Sequence, residues 1–381
     1  MTSTVAVEAF PALPVIDLDR IDPAIIQDVR LRPEGLLTGS LAAAAVADSS
    51  ACRLTGSAIA FTLVEVIVRY NGYTSTGSMS PRALLAWADR LGPPLKRRLD
   101  EQWSALTTRR EHWAGLSLDR PLVMGIVNVT PDSFYIGLGT DPQTPLAVGR
   151  AMLAAGADIL DIGAESTRPG AAAVSEEEEI HRLEPVIRGL VAEGAVVSVD
   201  TRHATVMRAA IGWGAKIVND VSALEGDDSL AAVADSDAAV VLMHMRGEPG
   251  TMQKAPTYDL PSFDIADYLS QRIACCVEAG IPLHRIVVDP GIGFGKTVAH
   301  NLELLARLGL FHGLGCGVLV GLSRKSTIGR VSGGAPVEAR LPGSIAGALQ
   351  SLRQGAQILR VHDVAETRQA IAMWEAIAAG A

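Results

Sequence analysis

The sequence predicts an α/β protein, a (β/α)8 barrel with a small N-terminal α/β extension. From residue 122 onward short β-branched runs alternate with longer amphipathic stretches, the alternation repeats eight times, and the strand runs are apolar almost throughout. Near-continuous apolar strands separated by helices mean a parallel sheet covered on its faces. Eight such units in about 250 residues match a closed barrel, whereas a doubly wound open sheet usually needs fewer strands and a switch point in their order.

The expected strands span 123–129, 159–163, 196–201, 217–221, 239–245, 286–290, 318–323 and 358–362. Between them, SEEEEIHRLEPVIRGLVAEG and HNLELLARLGLFH repeat their apolar residues at helical spacing, and VAETRQAIAMWEAIAAG follows the last strand. Residues 1–120 lack this rhythm. They carry one strand-like run, AIAFTLVEVIVRY, and one helical run, PRALLAWADRLGPPLKRRLDEQWSAL. The boundary is expected in LSLDRP, with Pro121 opening the first barrel strand, which leaves 1–120 as an extension without an assigned role and 121–381 as the barrel.

A chain of 381 residues with 48% hydrophobic content can bury a sizeable core, while a net charge of −9 and 4% aromatic residues argue against a nucleic-acid footprint. Four cysteines without C-x-x-C spacing suit a reducing compartment. No cationic leader precedes an apolar stretch, and no run of about eighteen apolar residues occurs. The expectation is a soluble cytoplasmic protein without a nucleic-acid or membrane partner.

In a barrel, polar residues at the C-terminal strand ends are the candidates for chemistry. All eight ends are polar here, too many to be helix caps alone. Arg168, Lys325, Arg360 and His362 form a cationic set that implies an anion such as a phosphate or pyrophosphate; the alternative is that each pairs with a carboxylate. Asp200, Asn219 and Asp289 form a second set, short donors and acceptors suited to the edge of a flat heterocycle, with a cap before the glycine-rich turn as the alternative for Asp289.

Three features read as decoys. Pro290–Thr297 comes within one residue of a phosphate-binding loop, but Pro290 stands where its first glycine belongs. Glu176–Glu179 resembles an acidic metal patch and is more simply a helix start, with Ser175 as N-cap and Glu178 closing a capping box. Cys275 and Cys276 cannot face the same way on a helix, so core packing is expected.

Seven motifs in order, Asn128-Val-Thr-Pro-Asp-Ser-Phe134, Glu165-Ser-Thr-Arg-Pro-Gly170, Ser198-Val-Asp-Thr201, Asn219-Asp-Val-Ser222, Asp289-Pro-Gly-Ile-Gly-Phe-Gly-Lys296, Ser323-Arg-Lys-Ser326 and Arg360-Val-His-Asp363, resemble the dihydropteroate synthase family over about residues 121–381. The resemblance implies a pterin-binding TIM barrel that joins 6-hydroxymethyl-7,8-dihydropterin pyrophosphate to 4-aminobenzoate, releases pyrophosphate with the help of Mg2+, and works as a homodimer. It implies Asn128 as the protein ligand to Mg2+, and Asp200, Asn219, Asp289 and Lys325 at the pterin. It further implies Arg360 and His362 at the pyrophosphate, Thr167 and Arg168 on the loop that closes over it, and Phe294 and Ser326 near the aminobenzoate. Sulfonamides, which mimic 4-aminobenzoate, are expected to compete. Lys325→Ala and Arg360→Ala are expected to abolish turnover with the fold intact.

Two departures stand out: Ile136 replaces a loop carboxylate of the family, and Ala164 stands where a glycine is common. The alternatives are a pterin-binding methyltransferase-type barrel, a synthase for a bulkier arylamine, and a catalytically impaired paralogue that binds pterin or a partner protein.

Overall fold

The structure, a computed structural model, describes residues 9–129, 144–165, 174–247, 252 and 256–380. The extension is an antiparallel sheet of β1 (Ile26–Leu37), β2 (Cys52–Arg53), β3 (Ala60–Tyr70) and β4 (Tyr73–Met79), with β1, β2 and β4 all pairing with β3. Helices α1 (Gly39–Ala47), α2 (Pro81–Ala88) and α3 (Pro93–Thr107) accompany it. The single expected helical run is therefore two helices. Pro93 and Pro94 cannot continue a helix from the N-terminal side, but they fit the first turn of a new one. Gln102 on α3 reads the β1 backbone directly, donating to the Val29 carbonyl and accepting from Leu31 N–H, each at 3.0 Å.

A short hairpin, β5 (His112–Trp113) and β6 (Leu116–Ser117), leads into the barrel. Its strands β7 (Leu122–Asn128), β8 (Ile159–Gly163), β9 (Val197–Asp200), β10 (Ile217–Asp220), β11 (Ala239–Met243), β12 (Ile286–Asp289), β13 (Gly317–Val320) and β14 (Ile358–Val361) close into a parallel ring in which β14 pairs with β7. Most strands end a little earlier than expected, because the polar rim residues leave the ladder to enter loops. The helices are α4 (Pro145–Ala154), α5 (Glu176–Ala192), α6 (Ala204–Gly212), α7 (Ser229–Ala234), α8 (Pro261–Glu278), α9 (Val298–Ala306), α10 (Ser326–Val331), α11 (Leu341–Arg353) and α12 (Val364–Gly380). Among the described residues no helix is long and apolar enough to cross a membrane.

The hairpin stops the floor of the barrel. Trp113 packs among Leu122, Met124, Ile159, Val241, Leu319 and Ile358, and its indole N–H donates to the Arg285 carbonyl at 3.0 Å. The extension grips the flank through Arg30 and Asp267 (2.5 Å), through Arg69 with Asp264 and Asp267, and by stacking Arg69 3.9 Å above the Phe263 ring. A cavity of about 1300 Å³ lies at this junction, lined by Arg97, Arg98, Arg110, Trp113 and Gly315 among others. It opens toward the N-terminal ends of the strands and holds none of the expected site residues.

Candidate active site

At the opposite mouth, β8, β9, β10, β12 and β14 each raise one polar side chain toward the barrel axis. Arg360 is the hub. Its Nε donates to Asp161 Oδ2 at 2.5 Å, its Nη2 donates to Asp200 Oδ2 at 2.6 Å, and Asn219 Nδ2 donates to the same Asp161 oxygen at 3.0 Å. Arg360 therefore does pair with carboxylates, and among the described residues these pairs commit two of its five N–H donors. Burial alone would depress this guanidinium; Asp161 and Asp200 outweigh that and hold its pKa above the ordinary arginine value. Desolvation raises Asp200 against the pull of Arg360, although 21% of its side chain stays accessible. Asp161 is fully buried, and its Oδ1 has no hydrogen-bond partner among the described residues.

The second focus is the turn after β12. Asp289 is 4% exposed and accepts from Gly291 N–H at 2.7 Å. Burial raises its pKa while Lys325 opposes the shift. Lys325 itself is pushed down to about 8 by burial, against the pull of Asp289. Its Nζ donates to the Ile292 carbonyl at 2.5 Å and lies 4.5 Å from the centre of the Phe294 ring. The turn is tight because Gly291 and Gly295 have φ of +68° and +61°, and a Cβ would meet the carbonyl oxygens of His244 at 1.9 Å and Arg246 at 2.3 Å. Lys296 is no phosphate lysine: its buried Nζ donates to the carbonyls of Gly291 (2.8 Å), Phe294 (2.9 Å) and His244 (3.2 Å). Burial holds it well below the usual lysine pKa. The lysine ties the loop from inside.

The other expected residues distribute as follows. Ser323 Oγ accepts from His362 N–H at 3.2 Å and lies 3.0 Å from His362 Nδ1. Ser326 opens α10, next to Lys325. Asn128 ends β7, exposed at the mouth. Thr167, Arg168 and Ile136 lie outside the described residues. At the start of α5, Ser175 accepts from Glu178 N–H as expected, but the Glu178 carboxylate pairs with Arg182 at 2.8 Å instead of turning back to the cap. Glu179 is buried against His203 Nδ1 at 2.8 Å, a packing role. Cys276 is buried in the core, as expected.

Asp161 was not singled out in the sequence, and its only signal was a lone charge in the apolar strand Ile159–Gly163. Its burial beside Arg360 and Asn219 makes it part of the site.

The sequence profile of the pterin binding enzymes matches residues 124–362. The chain belongs to this family of pterin-binding enzymes. The dihydropteroate synthase of Escherichia coli (strain K12) is 48% identical over 264 residues, covering 68% of this chain and 93% of that protein. The solved Yersinia pestis dihydropteroate synthase with a sulfonamide drug complex superposes with a TM-score of 0.66 at 45% identity, over 69% of this chain and 96% of the other. The Burkholderia cenocepacia dihydropteroate synthase complexed with 7,8-dihydropteroate gives 0.64 at 42% identity, over 70% and 94%. These family members are covered almost end to end by about two thirds of this chain.

Proposed function

We propose that the C-terminal face of this pterin-binding barrel condenses 6-hydroxymethyl-7,8-dihydropterin pyrophosphate with 4-aminobenzoate to give 7,8-dihydropteroate and pyrophosphate. The observation that carries this reading is the Arg360 hub: a guanidinium fixed by Asp161 and Asp200, beside Asn219, Asp289 and Lys325. Asp200, Asp289 and Asn219 suit the amino and ring N–H groups of the pterin, and the unpartnered Asp161 Oδ1 is an acceptor that a ligand N–H or a water would satisfy. Arg360 and His362 take the pyrophosphate, joined by Thr167 and Arg168 from the second loop. Phe294 and Ser326 flank the aminobenzoate. The C–O bond to pyrophosphate breaks first; the amine nitrogen then attacks the methylene carbon and sheds a proton. No side-chain nucleophile is needed, and the rate comes from stabilising the leaving group and from positioning.

Asn128 offers a neutral oxygen at the rim, and among the described residues no group of three acidic, His or Cys side chains gathers to hold a metal. That donor set fits Mg2+, which keeps waters and takes further oxygens from a substrate phosphate. Bound there, the ion would neutralise charge on the departing pyrophosphate. We further assign residues 1–120 as an extension and 121–381 as the barrel, and place the enzyme in the cytoplasm as a homodimer, which analytical ultracentrifugation checks. The catalytic test is release of pyrophosphate from the pterin substrate with Mg2+ and 4-aminobenzoate. Release that depends on the arylamine and is inhibited competitively by a sulfonamide is expected; pterin binding without release would refute the synthase and favour the impaired paralogue.

A further inference from the structure

The first 120 or so residues have no counterpart in the family match, which begins at residue 124, yet they reach the catalytic rim. The segment before β1 runs along β4, with Ile16 N–H donating to the Thr76 carbonyl at 2.8 Å and Thr76 N–H to the Pro14 carbonyl at 2.9 Å. Further out, Phe10 meets His300 edge-on, with ring centres 6.0 Å apart. His300 closes the capping box that starts α9: Thr297 N–H donates to its Nδ1 and His300 N–H donates to the Thr297 hydroxyl. On its other side it packs at 5.0 Å against Tyr258, whose hydroxyl donates to the Gly295 carbonyl at 2.9 Å.

A second tie runs through charge. Glu65 on β3 pairs with Arg307, which pairs with Glu303 on α9 at 3.3 Å, and Glu303 accepts from both the N–H and the hydroxyl of Ser262 at the start of α8. Helix α9 is thus held from the extension at both ends. What α9 holds in turn is the arylamine side of the site. Asn301, 2% exposed, accepts from Gly293 N–H at 2.8 Å and donates to Thr327 on α10 at 2.9 Å, so one side chain fixes the loop that carries Phe294 and the helix that carries Ser326.

We propose that the N-terminal extension is a brace for the arylamine pocket, with Phe10 a positioning residue that acts through His300 and α9 on Phe294 and Ser326. The proposal rests on the condensation reading for the identity of the pocket. A pocket held by one helix is sensitive to small displacements, because misplacing a reacting group by about 1 Å can cost up to about a hundredfold in rate. Phe10 is half-buried and meets the site through His300, so its removal should loosen rather than dismantle the site.

In the full-length chain, Phe10→Ala is expected to raise KM for 4-aminobenzoate by roughly 3- to 10-fold while kcat, pterin affinity and Tm hold, and Phe10→Tyr, which keeps the ring, is expected to restore KM. Amide hydrogen exchange in Phe10→Ala should quicken over residues 291–301 and 326–331. Unchanged KM and exchange would overturn the brace, as would a parallel fall in stability, kcat and affinity for both substrates. A wild-type chain that binds pterin but does not turn over would refute the condensation reading instead, and the exchange measurement would then decide the brace on its own.

Discussion

Replacing Asp161 separates the charge of the Arg360 hub from its geometry. Asp161→Asn can keep both hydrogen bonds, since one amide oxygen can accept from Arg360 Nε and Asn219 Nδ2 as Oδ2 does now, but it deletes the negative charge and puts an amide donor where the unpartnered Oδ1 sits. Arg360 keeps Asp200, so the expected loss is about 1.5–3 kcal/mol, the scale of one charge-assisted hydrogen bond. Asp161→Ala removes both acceptors and leaves Arg360 with a single carboxylate; breaking a buried pair in this way costs about 3–5 kcal/mol. Urea denaturation of the two variants reads the difference, and the midpoint should shift further for Ala than for Asn. Turnover should fall in both, with KM for the pterin pyrophosphate rising more in Ala as Arg360 loses its fixed orientation. An alanine variant as stable as wild type with normal KM would refute the hub.

The same geometry revises the expectation for Arg360→Ala. Because the guanidinium offsets two carboxylates, this variant should lose stability together with turnover, whereas Lys325→Ala should lose turnover and keep its Tm, as thermal melts of the pair would show. The Lys325 ammonium titrates near 8 in the folded chain, below its unfolded value of 10.5; stability from this group therefore rises with pH through that window while the cation is lost. Pterin affinity should fall above pH 8 in wild type and stay flat in Lys325→Met. His312 is pushed down to about 3 by burial and by Arg110, so the stability it contributes is present above its unfolded value of 6.5 and is lost as pH falls through the window. His312→Gln, which keeps an acceptor for Arg110, should flatten acid unfolding between those limits.

The eight barrel strands were legible because each is an apolar run buried on both sides, a pattern that needs no tertiary information. The extension showed β3 as the run AIAFTLVEVIVRY and hid its other strands. β1 reads Ile-Gln-Asp-Val-Arg-Leu-Arg-Pro-Glu-Gly-Leu-Leu, with four charges and a proline, and those charges are acceptable only because Arg30 meets Asp267 and Arg32 meets Glu65. β4, rich in Ser and Thr, gave no period at all. At the site, residue type and rim position identified Arg360, Lys325, Asp200, Asn219 and Asp289, but the pairing of Arg360 was invisible because its partners come from strands far apart in sequence. Lys296 shows the reverse case. Its loop read as a decoy phosphate loop because Pro290 stands where the first glycine belongs, and the glycines serve close approach to the carbonyls of His244 and Arg246.

The hairpin that stops the barrel floor also bears on the order of assembly. The ring joins its first strand to its last, β7 to β14, so it shuts only when the end of the chain has arrived. The extension's sheet, by contrast, pairs segments close in sequence, between residues 26 and 79, and contacts of that kind form early. Trp113 follows that sheet on the separate β5–β6 hairpin, and the apolar strand ends of the barrel pack against it. Closure is then a long-range event, and refolding should slow when Trp113, against which the strand ends pack, is replaced.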